Sequence, residues 1–141
     1  MVVTAGVTRH EAKGKRVFFG IDHATFVVQD CERSLAFYRG VLGMALDPGR
    51  PDLGYPGAWL QVGAQQIHLM ELPRSGPVPE PPGQGGRDRH IALQVASLLP
   101  IIAVLDEAGV SYTRSRSGRN ALFCRDPDGN TLEFVQREKS E

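Results

Sequence analysis

Four side chains carry the chemistry this sequence offers: His23, His68, His90 and Glu133. Each lies in a run where apolar residues alternate with others. Ile67 and Leu69 flank His68, Ile91, Leu93 and Val95 form the ladder beside His90, and Leu132 and Phe134 flank Glu133. Alternate side chains of a strand face opposite sides of a sheet, so each candidate points away from its own apolar ladder. His23 shares a face with Thr25 and Val27, opposite Ala24, Phe26 and Val28. Three imidazoles and one carboxylate suit a divalent first-row ion. Four protein ligands on an octahedral ion leave two positions for water or substrate. Such an ion lowers the pKa of bound water or polarises a carbonyl oxygen, whereas Mg prefers more oxygen donors. The expected cofactor is one divalent transition metal per site: Zn, Ni, Fe, Mn or Co.

The elements that must position these residues repeat. The segments beginning at Ile21 and at Arg87 both open on a strand-like run with a histidine near its start, and each continues into a helical pattern. In the first, Asp30 is the expected N-cap; Leu35, Tyr38, Val41 and Leu42 share a face, and Gly43 ends the run. In the second, Ser97 is the expected N-cap and Pro100 sits in the first turn. Ile101, Val104, Leu105 and Ala108 form the apolar stripe, and Gly109 is the stop. Strands are expected near 44–48, 58–63 and 65–71, then 110–115, 119–125 and 130–136. The run Asp126-Pro127-Asp128-Gly129 predicts a turn joining the last two. The pattern is β-α-β-β-β twice, an α+β fold of two paired modules. Neither half is large enough to bury an adequate core, so two copies must pack together. His23 and His68 then occupy the places in one module that His90 and Glu133 occupy in the other. Curved mixed sheets would enclose a metal site and bring all four to one concave surface.

Composition sets the boundaries and the exclusions. Residues 1–16 lack periodicity and read as a flexible arm. Module 1 is expected over 17–72, a linker over 73–87, module 2 over 88–137 and a tail over 138–141. The stretch 72–88 holds five of the ten prolines and four glycines, so it continues neither a helix nor an inner strand. Sixteen basic residues balance sixteen acidic ones, which argues against a nucleic-acid partner. No apolar run approaches a bilayer span, and the short apolar N-terminus lacks the basic start of a signal peptide. Two cysteines, Cys31 and Cys124, make no disulfide framework, so a cytoplasmic location is expected. Cys31 stands at a helix start, where thiolates gain stability.

The sequence resembles the vicinal oxygen chelate superfamily, which includes glyoxalase I, bleomycin and fosfomycin resistance proteins and extradiol dioxygenases. His23-Ala24-Thr25-Phe26-Val27-Val28, Ser34, Phe37-Tyr38 and Leu42-Gly43-Met44 are similar to the glyoxalase I opening, with Ala24 a departure. Arg89-His90-Ile91-Ala92-Leu93 and Asp126 through Glu133 resemble the second-module signatures. The resemblance implies that His23, His68, His90 and Glu133 are metal ligands, although His68 stands where glyoxalase I usually has Glu or Gln. It also implies a homodimer whose modules pair within or across chains, with a small molecule as substrate. An isomerase or lyase with enediolate-type chemistry is the leading expectation, with Glu133 as the catalytic proton shuttle. An extradiol-type dioxygenase or a drug-binding or drug-modifying resistance protein is the alternative. Val27 and Leu72 stand where glutathione-dependent enzymes often carry Arg and Asn, which argues against a glutathione substrate. Trp59 is a candidate pocket wall and Arg119 a candidate contact for an anionic substrate. No Lys/Arg cluster for a phosphonate is visible along the chain.

Overall fold

In the computed structural model, residues 17–74, 76 and 85–137 are described. The expected arm, with His10, most of the linker and the tail lie outside them. Strand β1 runs His23–Val28, followed by helix α1, Cys31–Leu35. Strands β2 (Ala45–Leu46), β3 (Gly57–Val62) and β4 (Gln65–Glu71) complete the first module. A 3₁₀ turn, Gly85–Arg87, leads into β5 (His90–Val95), α2 (Leu99–Ala108), β6 (Tyr112–Arg114), β7 (Ala121–Arg125) and β8 (Thr131–Gln136). Each module is a four-stranded mixed sheet, ordered β1-β4-β3-β2 and β5-β8-β7-β6. In each, the first strand is parallel to the last and the remaining pairs are antiparallel. The β-α-β-β-β repeat read from the sequence is therefore the architecture, and the paired four-stranded sheets give the α+β class.

Local chemistry accounts for the helix ends. The Asp30 carboxylate accepts from the Glu32 and Arg33 amides and caps α1 as expected. The helix then widens into a π-helix over Ala36–Val41, which the apolar spacing did not indicate. Its wider turn buries two consecutive aromatic residues, Phe37 and Tyr38, where the sequence pattern placed Tyr38 alone. At α2 the N-cap position is Leu98 rather than Ser97, but the Ser97 hydroxyl accepts from the Leu99 amide and performs part of that role. Gly109 ends α2 in the left-handed region at φ 72°, as the glycine stop required.

The helical sides of both sheets bury one continuous core. Val28, Tyr38, Leu60, Ile67 and Leu69 from module 1 join Leu105, Leu122, Leu132 and Phe134 from module 2. Two half-domains, each too small alone, thus share one interior. The turn at Asp126–Gly129 adds polar ties. Tyr38 donates its hydroxyl to Asp126 Oδ2 at 2.8 Å. Asp126 also accepts from the Asn130 side chain and from the Asp128 and Asn130 amides. Asp128 accepts from the Gln29 amide, and Arg33 donates to the Pro127 carbonyl. The module 2 hairpin is therefore seated against the start of the module 1 helix. Among the described residues no helix is long and apolar enough to cross a membrane.

Candidate metal centre

The faces opposite the helices carry the candidate ligands. On β1, His23, Thr25 and Val27 are exposed while the alternate residues turn inward. The strand register aligns the modules position for position. His68 lies opposite Thr25 on β1 and Trp59 on β3. Glu133 lies opposite Ala92 on β5 and Phe123 on β7. His23 and His90, each first in its strand, align with Gln66 and Thr131.

Within the chain the four residues form two pairs. His90 Nε2 lies 3.2 Å from Glu133 Oε1. The rings of His23 and His68 stack, their centroids 3.8 Å apart and their planes 15° from parallel. Among the described residues no three His, Cys, Asp or Glu side chains share a position suited to a metal ion. The expected convergence of all four on one concave surface is thus not seen among the described residues of the chain.

Hydrogen bonding fixes which nitrogen each ring offers. His90 Nδ1 is 2.9 Å from the Asp88 carbonyl, which can only accept, so Nδ1 carries the proton and Nε2 is left for a ligand. His23 Nδ1 faces the Asp22 carboxylate at 2.9 Å, which likewise leaves Nε2. A carboxylate or carbonyl behind a histidine is the usual support of a metal-binding imidazole. His68 is set the other way. The Gln66 amide nitrogen donates to Asp47 and Gln61, so its oxygen faces His68 Nε2 at 2.8 Å and Nδ1 remains. Burial, then repulsion from His23, lowers the His68 pKa, favouring the neutral form that binds metals.

The donors fit a divalent ion at the His90–Glu133 pair. With Nδ1 committed, His90 turns either a second proton or a lone pair toward Glu133, and two lone pairs at this separation need a cation between them. Two ligands bound at about 2.1 Å to one ion are themselves about 3 Å apart when adjacent. Glu133 is only 3% exposed, and a buried carboxylate requires cationic partners. Arg119 supplies one, its Nη2 3.3 Å from Glu133 Oε2. The His23–His68 stack is not a coordinating arrangement, because an ion in the plane of one ring lies well outside the plane of the other. One ring must turn for both to ligate.

A family model described as the Glyoxalase/Bleomycin resistance protein/Dioxygenase superfamily matches residues 20–134. The chain belongs to this superfamily. It is 30% identical over 120 residues to Glyoxylase I 4 of Arabidopsis thaliana, covering 81% of this chain and 68% of the relative. It is 30% identical over 122 residues to the lactoylglutathione lyase of Salmonella typhimurium, covering 81% of this chain and 90% of that enzyme. A glyoxalase family protein of Bacillus anthracis has the same fold, with a TM-score of 0.73 at 24% identity over 88% of this chain and 99% of that one.

Two other candidate side chains of this glyoxalase-family protein, Trp59 and Arg119, adjoin the candidate ligands. Trp59 is half-buried and stacks on His68, with centroids 4.6 Å apart, on the ligand face rather than in the core. Arg119 reaches Glu133, as given above. Cys31 is buried, and burial followed by repulsion from Glu71 raises its thiol pKa. Burial and the neighbouring carboxylate therefore outweigh the stabilisation of a thiolate expected at the helix start. Sequence reasoning missed the supports behind the ligands: Asp22, Gln66 and the Asp88 carbonyl. Asp22 and Asp88 stand one and two residues before a histidine, a signal that was present but generic. It also missed a basic cluster, for Arg87, Arg116 and Arg119 line one cavity with His90 and Glu133.

Proposed function

We propose that this glyoxalase-family protein is a divalent-metal-dependent lyase or isomerase. Its substrate is a small molecule that chelates the ion through neighbouring oxygens and is not a glutathione adduct. The observation that carries this reading is the His90–Glu133 pair. A buried carboxylate faces Nε2 of an imidazole whose Nδ1 proton is committed to the Asp88 carbonyl, and the His23–His68 pair occupies the equivalent place in the other module. The 30% identity to a lactoylglutathione lyase supports lyase chemistry. Val27 is exposed on the ligand face and Leu72 is exposed beyond β4. Neither offers charge or an amide to a glutathione chain.

His23, His68, His90 and Glu133 would hold the ion, in a site completed by two protomers. Module 1 of one chain supplies the His pair and module 2 of its partner supplies His90 and Glu133. The incomplete donor set of one protomer and the exposed ligand face of β1 support this pairing. Bound there, the ion supplies Lewis acidity toward the chelating substrate oxygens. Glu133, released from the ion and still held by Arg119 through Oε2, would take and return a proton through Oε1 at the carbon beside those oxygens. Arg119 holds the other carboxylate oxygen and orients it. His90 is locked in its tautomer by the Asp88 carbonyl. Trp59 lies against His68 and Phe123 against His90, giving each half of the site an apolar wall.

The test is metal analysis of tag-free protein followed by a screen of vicinal oxygen compounds with each metal. One ion per chain and turnover of such a compound are expected. Protein that neither retains nor takes up a stoichiometric ion would contradict the enzyme reading and favour a metal-free binding protein.

A further inference from the structure

The module 2 half of the site holds more positive charge than the chemistry above uses. A cavity of about 380 Å³ opens over Glu133, with Arg87, Arg116, Arg119, His90 and Phe123 in its wall. The arginines come from separate stretches. Arg87 ends the 3₁₀ turn before β5, while Arg116 and Arg119 stand in the loop between β6 and β7. That loop is held by its own serines. The Ser115 and Ser117 hydroxyls lie 2.8 Å apart, Ser115 Oγ accepts from the Ser117 amide, and Ser117 Oγ accepts from the Arg119 amide.

Three arginines here line one cavity with a single carboxylate, Glu133. Arg119 is engaged with Glu133 through Nη2. Among the described residues, the Arg87 and Arg116 side chains have no hydrogen-bond or ion-pair partner. The chain as a whole has no net charge, so this is a local concentration rather than a general basic surface. Cations gathered around a concave surface raise the local concentration of anions and lower the cost of binding one. Guanidinium forks match carboxylate and phosphonate oxygens two at a time. Phe123 adds an apolar wall for a short carbon skeleton.

We propose that this cavity is an oxyanion subsite: the substrate carries a carboxylate, phosphate or phosphonate group that Arg87, Arg116 and Arg119 receive. The orientation of the substrate rests on the metal-centre reading, since the other end would carry the vicinal oxygens. Anion binding itself does not depend on that reading.

Calorimetric titration of the full chain, with and without one equivalent of zinc, tests the subsite. The probes are methylphosphonate, succinate and the neutral analogue succinamide. At least one oxyanion is expected to bind and succinamide is not. Binding should weaken as salt is raised. The stronger of the two anions identifies the group. In R87A/R116A the affinity should fall about tenfold or more while zinc binding is unchanged, and R39A, distant from the cavity, should behave as wild type. Wild-type protein that takes zinc but neither anion, or an R87A/R116A variant that binds anions as wild type does, overturns the subsite alone. Loss of zinc binding with anion binding intact overturns the metal centre and leaves the subsite standing.

Discussion

His90 Nε2 and Glu133 Oε1 face each other at 3.2 Å with no proton assigned between them by the surrounding hydrogen bonds. That relationship separates the roles of the two residues. Glu133→Gln keeps the shape of the side chain and one oxygen donor but removes the charge and the base. Turnover should fall by about 10²–10⁴-fold, with only part of the metal lost. His90→Ala removes a proposed ligand without touching the proposed base and should mainly cost metal. Kinetics beside metal content on the same preparations check this. Full activity in the Gln variant would remove Glu133 from the proton transfer.

Trp59 is the only tryptophan in the chain and stacks on His68. If one ring of the His23–His68 stack turns to bind an ion, the surroundings of the indole change. Metal addition should therefore alter the intrinsic fluorescence in a saturable way, and His68→Ala should abolish the change. An unaltered spectrum in protein shown to have bound metal would mean that His68 does not move.

Arg125 binds the Asp88 carboxylate at 2.6 Å, and Asp88 in turn presents its carbonyl to His90. The hydrogen bond from Arg125, more than any other contact, holds the Asp88 carboxyl below its usual value. A depressed carboxylate stabilises the fold at pH values above its unfolded pKa, about 3.9, and that contribution is lost as pH falls through the folded value. Thermal midpoints should thus drop on acidification below about pH 4, and Asp88→Asn should have a shallower acid limb. Asp126 carries the opposite sign, because burial outweighs its hydrogen bonds and raises it. Its contribution is full below the unfolded value and declines as pH rises through the folded one. Equal acid limbs in wild type and Asp88→Asn would show that the Arg125 contact does not contribute.

Tyr38 and Asp126 tie the modules through a buried bond 88 residues apart in sequence. Burial pushes the tyrosine hydroxyl pKa well above its usual value, so it remains a donor throughout. Tyr38→Phe should cost about 1–3 kcal/mol, because one Asp126 oxygen loses a partner. Asp126→Ala should cost more, since the tyrosine hydroxyl, the Asn130 amide and two backbone N–H groups lose theirs. Denaturant unfolding measures both. A Tyr38→Phe variant as stable as wild type would make the tie incidental.

Much of this was legible in the chain. The alternation around His68, His90 and Glu133 gave their facing, and the repeated strand–helix pattern gave their equivalence, because strand periodicity is a local property. Asp30 and Gly109 marked helix ends by local chemistry as well. The π-helix at Ala36–Val41 was not legible, since apolar spacing does not distinguish it from an ordinary turn. Neither was the arginine cavity. Arg87 reaches Arg116 and Arg119 only through the β5-β8-β7-β6 order, which no local pattern encodes. Whether the four candidate ligands meet within one chain was left open by the sequence for the same reason. Equivalence under a repeat fixes which residues correspond, not whether they meet in one chain.

The most direct test of the shared centre is complementation between two disabled chains. His23→Ala/His68→Ala lacks the module 1 pair, and His90→Ala/Glu133→Gln lacks the module 2 pair. Neither should bind metal tightly alone. Under the proposed pairing, co-expression yields mixed dimers in which one of the two sites regains all four proposed ligands. With random pairing the metal content should return to about a quarter of wild type. Recovery at that level is the expected result; no recovery in verified mixed dimers would contradict a centre built from two chains.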